Sequence, residues 1–507
     1  MVVYNLIKKN EYYDSVTLMV FSKKLSEIQG VIEAAVMMGT DHNKELMFRS
    51  KILDLKTKNE STSNDLIIGI KARNDDIIVH ALKTLEDEFI QKKESSKLLV
   101  KKKFNSVTSA LKNISDLNFA IISVPGRYAK NEVMKCLTNN LHVLLFSDNV
   151  SYEDEITMKK YAKEKNLLMM GPDCGTAIIN HISLGFANEM KKGSIGLTGA
   201  SGTGLQEVLS IIDSLDDGIS QVLGTGGRDL TEEIGAAMML DTLMALERDS
   251  RTNIIGIIAK TATVTSIQKI LDKVKNFKKP IVACILGADS KLFEGSNIKF
   301  ASNLQEAAYK LVSLSKKKII KPESNKIFNL EKISRGKYLR GLYSGGTLAY
   351  EAILLMEGRI KELYSNLKIK NVNPLEDFER SLYNTVLDMG DDYFTNGMPH
   401  PMIDPKLRSL RIKKEIYDSE TAVILLDCIL GHGSHNDPAG EIIAIVEEVK
   451  KIGIKLPVIV VSICGTKNDY QDLNKSIERL ENTGIIVTKT NAQAIDICLS
   501  LLEGKDD

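Results

Sequence analysis

Twice in this chain an apolar run of strand length stops at a small, glycine-rich turn, and a helical pattern begins at once. The first run reads Ile195-Gly-Leu-Thr-Gly-Ala-Ser-Gly-Thr-Gly-Leu205, and the second passes from 339–343 into Ser344-Gly345-Gly346-Thr347. Ala200-Ser201-Gly202-Thr203 followed by Glu207 matches Ser344-Gly345-Gly346-Thr347 followed by Glu351 without a gap. Other near-continuous apolar runs, at 119–124, 143–146, 167–170, 254–258 and 281–286, alternate with helical stretches such as 131–138 and 154–165. The alternation resumes later with runs at 422–427, 458–462 and 485–488. Strands buried on both faces read this way in a parallel sheet covered by helices. The expected class is therefore α/β, with parallel sheets and one unit present twice.

The repeat sets the domain organisation. Residues 1–100 form a small α/β domain with strands at 16–21, 31–38 and 66–71, a short helix within 22–30 and a longer one over 75–90. Residues 105–190 suit a truncated Rossmann-like domain, and 193–315 and 337–507 suit two flavodoxin-like copies. Lysine-rich stretches at 91–104 and 315–337 mark boundaries. Between the copies, Gly226-Gly227-Arg228-Asp229 aligns with Met389-Gly390-Asp391-Asp392, and the strand ending at Gly287 with the one ending at Gly465. An insertion in the second copy is placed at 394–412.

Composition removes several classes of function. Across 507 residues, 67 Lys and Arg offset 66 Asp and Glu, so no cationic excess draws in nucleic acid or an anionic membrane. The longest apolar runs fall well short of the ~20 residues that cross a bilayer, and the first residues contain no apolar signal region. Six cysteines without a CxxC pair suit reduced thiols. A soluble, cytoplasmic protein is expected.

The turn at Ser201, Gly202 and Thr203 opens a helix whose first N–H groups lack partners, so it offers an anion site at the positive end of a helix dipole. Gly345, Gly346 and Thr347 offer the same in the second copy. A serine cap that binds nothing is the plainer alternative. In Gly224-Thr-Gly226-Gly227-Arg228-Asp229, Arg228 could hold a carboxylate or phosphate at two points, or pair with Glu232 or Glu233 on the next helix. Gly171-Pro-Asp173-Cys174-Gly-Thr176 follows another strand, and Cys174 suits a buried thiol in a tight turn rather than a nucleophile. His435, in Gly431-His-Gly-Ser-His435-Asn-Asp-Pro438, either contacts substrate or caps its loop. His432, His435 and Asp437 match no standard zinc spacing, and His400 belongs to a second late cluster, so no metal is expected.

These motifs together resemble the FdrA family. They are Gly171 to Thr176, Gly199 to Glu207, Gly224 to Asp229, the segments Ser22-Lys-Lys-Leu25 and Val36-Met-Met-Gly-Thr40, and the loop Gly431 to Pro438. The resemblance runs over nearly the whole chain. A broader one, to the succinyl-CoA synthetase α-subunit, covers about 105–315 and 337–507. It implies that the turns at Ser201-Gly202-Thr203 and Gly345-Gly346-Thr347 face a phosphate; beside them, Gly226, Gly227 and Asp173 are expected among the substrate-binding residues, and Arg228 and His435 are the catalytic candidates. Two departures stand out. The synthetases carry a phosphorylated histidine in a loop that here reads Gly287-Ala-Asp-Ser-Lys-Leu-Phe-Glu-Gly295, and their CoA-holding loop has no counterpart.

The resemblance therefore implies a subunit of oxamate carbamoyltransferase, acting on oxalurate, oxamate and carbamoyl phosphate in anaerobic allantoin degradation. Phosphate is then a substrate, no cofactor is required, and CoA is not expected. Other subunits of the transferase are the expected partners, with a homodimer as a further arrangement, beside a small-molecule acid. The alternatives are a nucleotide-forming acyl-CoA synthetase and a noncatalytic scaffold.

Overall fold

The computed structural model describes residues 1–11, 13, 15–98, 104–322, 335–395 and 398–503. They form two compact units, Met1–Asn113 and Ile114–Asp507.

The first unit runs β1 (Val2–Lys8), α1 (Ser15–Ser26), β2 (Val31–Met38), α2 (Asp41–Arg49), α3 (Leu55–Glu60), β3 (Leu66–Ala72), α4 (Asp75–Leu98) and α5 (Val107–Asn113). Its sheet has the order β1-β3-β2, antiparallel throughout. Successive side chains of β3 serve opposite faces. Ile68 joins Leu18, Phe21, Leu25, Ile78 and Leu85 beneath α1 and α4, while Ile67 joins Met47 and Ile52 beneath α2 and α3. The run 16–21, expected as a strand, lies instead in α1. Leu18, Phe21 and Leu25 recur at helical spacing on the core side, whereas Val20 is 46% exposed. Strand β1 was not foreseen. The boundary expected at 91–104 falls partly within α4, and residues 99–103 lie outside the described residues.

The second unit opens with β4 (Phe119–Ile122), α6 (Gly126–Thr138), β5 (His142–Leu145), α7 (Tyr152–Glu164) and β6 (Met169–Met170), whose strands form a parallel sheet in sequence order. A hairpin follows, β7 (Thr176–Ile179) and β8 (Ile182–Gly185). This hairpin falls within the stretch read as Rossmann-like, yet β7 pairs with a strand of the next sheet.

The first copy contains β9 (Lys192–Ala200), α8 (Gly202–Ser214), β10 (Ile219–Gly224), α9 (Ala237–Arg248), β11 (Ile254–Ala259), α10 (Val264–Val274), β12 (Ile281–Ile285), β13 (Ile298–Phe300) and α11 (Leu304–Ser315). The second contains β14 (Tyr338–Tyr343), α12 (Gly346–Met356), β15 (Leu363–Ser365), β16 (Asn373–Pro374), β17 (Asn384–Asp388), α13 (Asp392–Thr395), α14 (Lys406–Tyr417), β18 (Thr421–Ile429), α15 (Pro438–Lys451), β19 (Val458–Cys464), α16 (Leu473–Asn482), β20 (Ile486–Thr488) and α17 (Asn491–Glu503). The segments β10-β9-β11-β12-β13 and β17-β14-β18-β19-β20 share one parallel order, that of the flavodoxin-like sheet.

The sheet register corrects two details of the expected alignment. Gly224 lies opposite Gly199 as Asp388 lies opposite Tyr343, and Thr225 and Met389 each donate an N–H to the strand beside them. Gly226 therefore corresponds to Gly390, and Arg228 to Asp392, one residue from the match suggested by residue type. The large insertion of the second copy is also not at 394–412, where α14 answers α9. It occupies 357–383, carries β15 and β16, and replaces the short connection 215–218 between α8 and β10.

The copies face each other across an approximate two-fold axis. Val208 and Ile212 of α8, Leu348 and Ile353 of α12, Leu304 and Leu311 of α11, and Ile495 and Cys498 of α17 share one core. Glu207 of α8 accepts the Asn491 N–H at the start of α17, 2.8 Å away. Glu351 of α12 accepts the Leu304 N–H at the start of α11, also at 2.8 Å. Each copy thus uses the matched glutamate to cap the last helix of the other.

Candidate active site

The two-fold axis brings the first turns of α8 and α12 together. Ser201 caps α8 by accepting the Gly204 N–H at 3.1 Å, and its hydroxyl lies 2.7 Å from the Thr347 hydroxyl of α12. A Cβ on Gly345 would stand 2.6 Å from Thr203 Cγ2, and one on Gly204 would stand 3.0 Å from Thr347 Cγ2. Small residues are required for the termini to approach so closely. Helix α12 is capped by Gly345, without any side-chain bond. The leading N–H groups of both helices thus converge, with the two dipoles adding at one place. Beneath α12, the buried Asp427 accepts the Ser344 N–H and hydroxyl and pairs with Arg408 at 2.6 Å. That network fixes the turn without entering the site.

Three ionisable groups stand around these termini. At the end of β11, Lys260 Nζ lies 3.1 Å from the position of a Cβ on Gly346, and an oxygen of Asp388 lies 2.4 Å from the same point. Burial pushes the Asp388 carboxyl up to about 6, against the pull of Lys260 and of the Gly390 N–H that it accepts at 2.9 Å. Asp173, on the turn after β6, has a left-handed backbone (φ 54°). Desolvation by the surrounding protein, then the Asp148 carboxylate, push it up to about 6, while Lys260 and Arg228 pull the other way. Lys260 therefore acts on both carboxyls, yet has no hydrogen bond or ion pair of its own among the described residues.

His400 completes this side. Its Nδ1 accepts the Met402 N–H at 3.3 Å, and burial lowers its pKa, so a neutral ring carries its proton on Nε2. That nitrogen would lie 2.6 Å from a Cβ on Gly390, the residue bonded to Asp388. Phe186 sits beside the imidazole with ring centroids 6.1 Å apart, and its carbonyl accepts the hydroxyl of Thr176. The Thr176 hydroxyl in turn lies 3.2 Å from the position of a Cβ on Gly202.

Of the residues expected at the site, Ser201, Gly202, Thr203, Gly345, Gly346 and Thr347 lie together at the junction. Gly226 and Gly227 press on the turn that presents Asp173. A Cβ on Gly226 would meet the Pro172 carbonyl at 2.3 Å, and one on Gly227 an Asp173 oxygen at 2.5 Å. Arg228 pairs with neither Glu232 nor Glu233. Its Nη2 donates to the Val150 carbonyl at 2.7 Å and to Glu155 at 2.8 Å, and its guanidinium lies 4.3 Å from the Tyr152 ring centre. Glu155 also holds the buried Lys159, which bonds Asp229, and Asp229 caps α9 through the Met238 and Met239 N–H groups. His435 is built into its own loop: Nδ1 accepts the Asp437 N–H, and its N–H reaches the Met402 carbonyl. Burial pushes the Cys174 thiol up to about 12, which suits the inert role expected of it. Lys260 and Asp388 were not foreseen. Both stand at the carboxyl ends of sheet strands, where ligands of open α/β sheets bind.

Comparison with known proteins gives the chain its family. Residues 342–498 match the CoA-ligase family, and residues 1–105 match the AllF heavy metal-associated domain. The protein YahF of Escherichia coli (strain K12) is 39% identical over 500 residues, 96% of either chain. The chain belongs to the FdrA family. More distant relatives show the synthetase affinity of that family. Succinate–CoA ligase [ADP-forming] subunit alpha 2 of Archaeoglobus fulgidus is 23% identical over 188 residues, 36% of this chain and 63% of its own. The ADP-forming acetate–CoA ligase of Methanocaldococcus jannaschii is 28% identical over 177 residues, 33% of this chain and 24% of its own. The apo acetyl-coenzyme A synthetase 1 of Ca. Korarchaeum cryptofilum overlays 79% of this chain and 84% of its own at 14% identity and a TM-score of 0.35, too loosely to add to the assignment.

The AllF domain is described as heavy metal-associated, and the part of this FdrA chain that matches it contains no cysteine. The first cysteine of the chain is Cys136, so residues 1–105 hold no soft thiolate. Among the described residues, no three His, Cys, Asp or Glu side chains are grouped to hold a metal. No described helix is long and apolar enough to cross a membrane.

Proposed function

We propose that this chain is a subunit of an oxamate carbamoyltransferase of allantoin breakdown, in which phosphate cleaves oxalurate to oxamate and carbamoyl phosphate. The observation that carries the reading is the junction of α8 and α12, where two helix N-termini meet at Ser201 and Thr347 beside the ammonium of Lys260. Converging backbone donors suit a phosphate and the oxyanion that forms as it attacks a carbonyl. In that step a phosphate oxygen bonds to the carbamoyl carbon, the carbon–nitrogen bond breaks, and the leaving nitrogen takes a proton. Asp388 and Asp173, both raised to about 6, suit such a transfer near neutral pH. The reaction needs neither a phosphohistidine nor CoA, in keeping with the loop 287–295, which has no histidine. The match of residues 1–105 to the AllF domain supports the link to allantoin, and the other transferase subunits are the proposed partners.

A second reading, an acid–thiol ligase, is favoured by the match of 342–498 to the CoA-ligase family. One assay separates them. The full chain, alone and with the products of neighbouring genes, is given oxalurate and phosphate, and carbamoyl phosphate is measured. Its formation is expected. Tight CoA binding by calorimetry together with nucleotide-dependent thioester formation, and no carbamoyl phosphate, would transfer the chain to the ligases.

A further inference from the structure

We propose that Lys260 is a substrate-binding residue that holds the carboxylate of the small acid at the α12 terminus, leaving the α8 terminus to phosphate. This rests on the reading above and divides its site into two unequal halves. The division follows from what stands at each helix. At α8, a Cβ on Gly202 would meet nothing nearer than the Thr176 hydroxyl, a neutral group that can donate or accept. At α12, the equivalent Gly346 faces the Asp388 carboxyl and the Lys260 ammonium. A doubly charged phosphate at α12 would lie against a carboxyl group with one cation to offset it. At α8 it meets open N–H donors and hydroxyls. A singly charged carboxylate is matched by Lys260 alone, and Asp388, when protonated, donates to it rather than repelling it.

The two-fold axis strengthens the case. By the sheet register, the second copy has Ile429 where the first has Lys260, so the lysine is not part of the shared scaffold. Most other buried cations of this unit have anionic partners: Lys159 has Glu155 and Asp229, Arg340 has Glu415 and Asp418, and Arg408 has Asp427. Lys260 is half-buried, electrostatically coupled to Asp173 and Asp388, and closes no ion pair among the described residues. A cation kept back from water and left unpaired beside two helix N-termini is suited to a ligand's charge. The substrate class follows: a small acid whose carboxylate adjoins the amide that leaves, with the carbamoyl carbon on the far side of the amide nitrogen, spanning the short gap between Lys260 and a phosphate at α8.

The test uses the full chain and two probes, inorganic phosphate and oxamate, each titrated by calorimetry into the wild type, Lys260→Met and Lys260→Arg. Lys260→Met is expected to weaken oxamate about 10- to 100-fold, the range for one charge-assisted contact, and phosphate less than about threefold. Lys260→Arg should recover part of the loss, which a merely structural lysine would not require, and melting temperatures confirm folding. Oxamate affinity unchanged in Lys260→Met, with phosphate binding intact in the wild type, overturns this assignment alone. Loss of phosphate rather than oxamate in Lys260→Met reverses the two halves and overturns it too. A wild type that binds neither probe overturns the reading of the site as a whole.

Discussion

Glu207 and Glu351 lie almost completely buried on the two-fold axis, each 1% exposed, and the sharpest test of the duplicated architecture is to remove one of the two ionisable groups. Glu207 accepts the Asn491 N–H through one oxygen, while burial and then the neighbouring Glu351 push its pKa from an ordinary 4.5 up to about 8. Glu351 is raised as well, chiefly by burial. Folded, Glu207 keeps its proton across that window, whereas the unfolded chain has released it. The folded state therefore binds more protons, and stability falls as pH rises from about 4.5 to about 8. A tenfold change in proton affinity is worth ~1.4 kcal/mol, so the ceiling near neutral pH is on the order of 3 kcal/mol. Glu207→Gln keeps the acceptor for Asn491 and removes the charge. It should match the wild type near pH 5 and exceed it by roughly 2–3 kcal/mol near pH 8. Glu207→Ala loses the acceptor and leaves a hole, so it should be less stable at both. Calorimetric unfolding of all three proteins at several pH values measures this directly. A Glu207→Gln variant less stable than wild type by the same amount at every pH would show that the group is an ionised cap, and would refute the reasoning.

Three further outcomes are expected. Gly346→Ala places a Cβ 2.4 Å from an Asp388 oxygen, and the resulting displacement at the α12 terminus should weaken oxamate binding at least about tenfold by calorimetry, with little change in melting temperature. Because Asp388 and Asp173 ionise near 6, raising the pH from about 5 to about 8 adds negative charge beside the termini, so anion affinity should fall through that window. Asp388→Asn should flatten the fall and bind oxamate more tightly than wild type at the alkaline end. Lys159→Met takes the buried cation from Asp229 and leaves Glu155 with Arg228 alone, so denaturant titration should find it about 3–5 kcal/mol less stable.

Much of this architecture is legible because buried parallel strands carry their own signal. Ile254–Ala259 is apolar on both faces, and the glycine-rich turns mark where strands give way to helices. What was misread turns on context that a run of residues does not contain. The stretch 16–21 has the composition of a strand, but tertiary burial selects the helical spacing of Leu18, Phe21 and Leu25. Matching the copies by residue type put Gly226 one position away from its true counterpart, since only the ladder shows which carbonyl each N–H meets. Arg228 finds its acid in Glu155, on a helix of the preceding small sheet, so no inspection of its neighbours in sequence could locate it. Lys260 had a visible cue, its place just past a buried strand; the two helix termini beside it come together only on folding.

The same duplication that makes the site also explains why it is unsymmetrical. Two equal helix termini on a two-fold axis would offer the same pocket twice and favour two identical anions. Here several matched positions have diverged in charge or bonding. Ser201 caps α8 with a hydroxyl where Gly345 leaves α12 uncapped. Lys260 stands where the other copy has Ile429, and Arg228 where it has Asp392. The features kept alike are those that hold the copies together: Glu207 and Glu351 cap each other's last helices, and Gly465 and Gly287 lie against matched positions of α8 and α12, Ser210 and Leu354. Symmetry kept in the packing and broken in the charges suits the proposed reaction, in which two different anions must come within bonding distance, one as nucleophile and one as the acid it attacks.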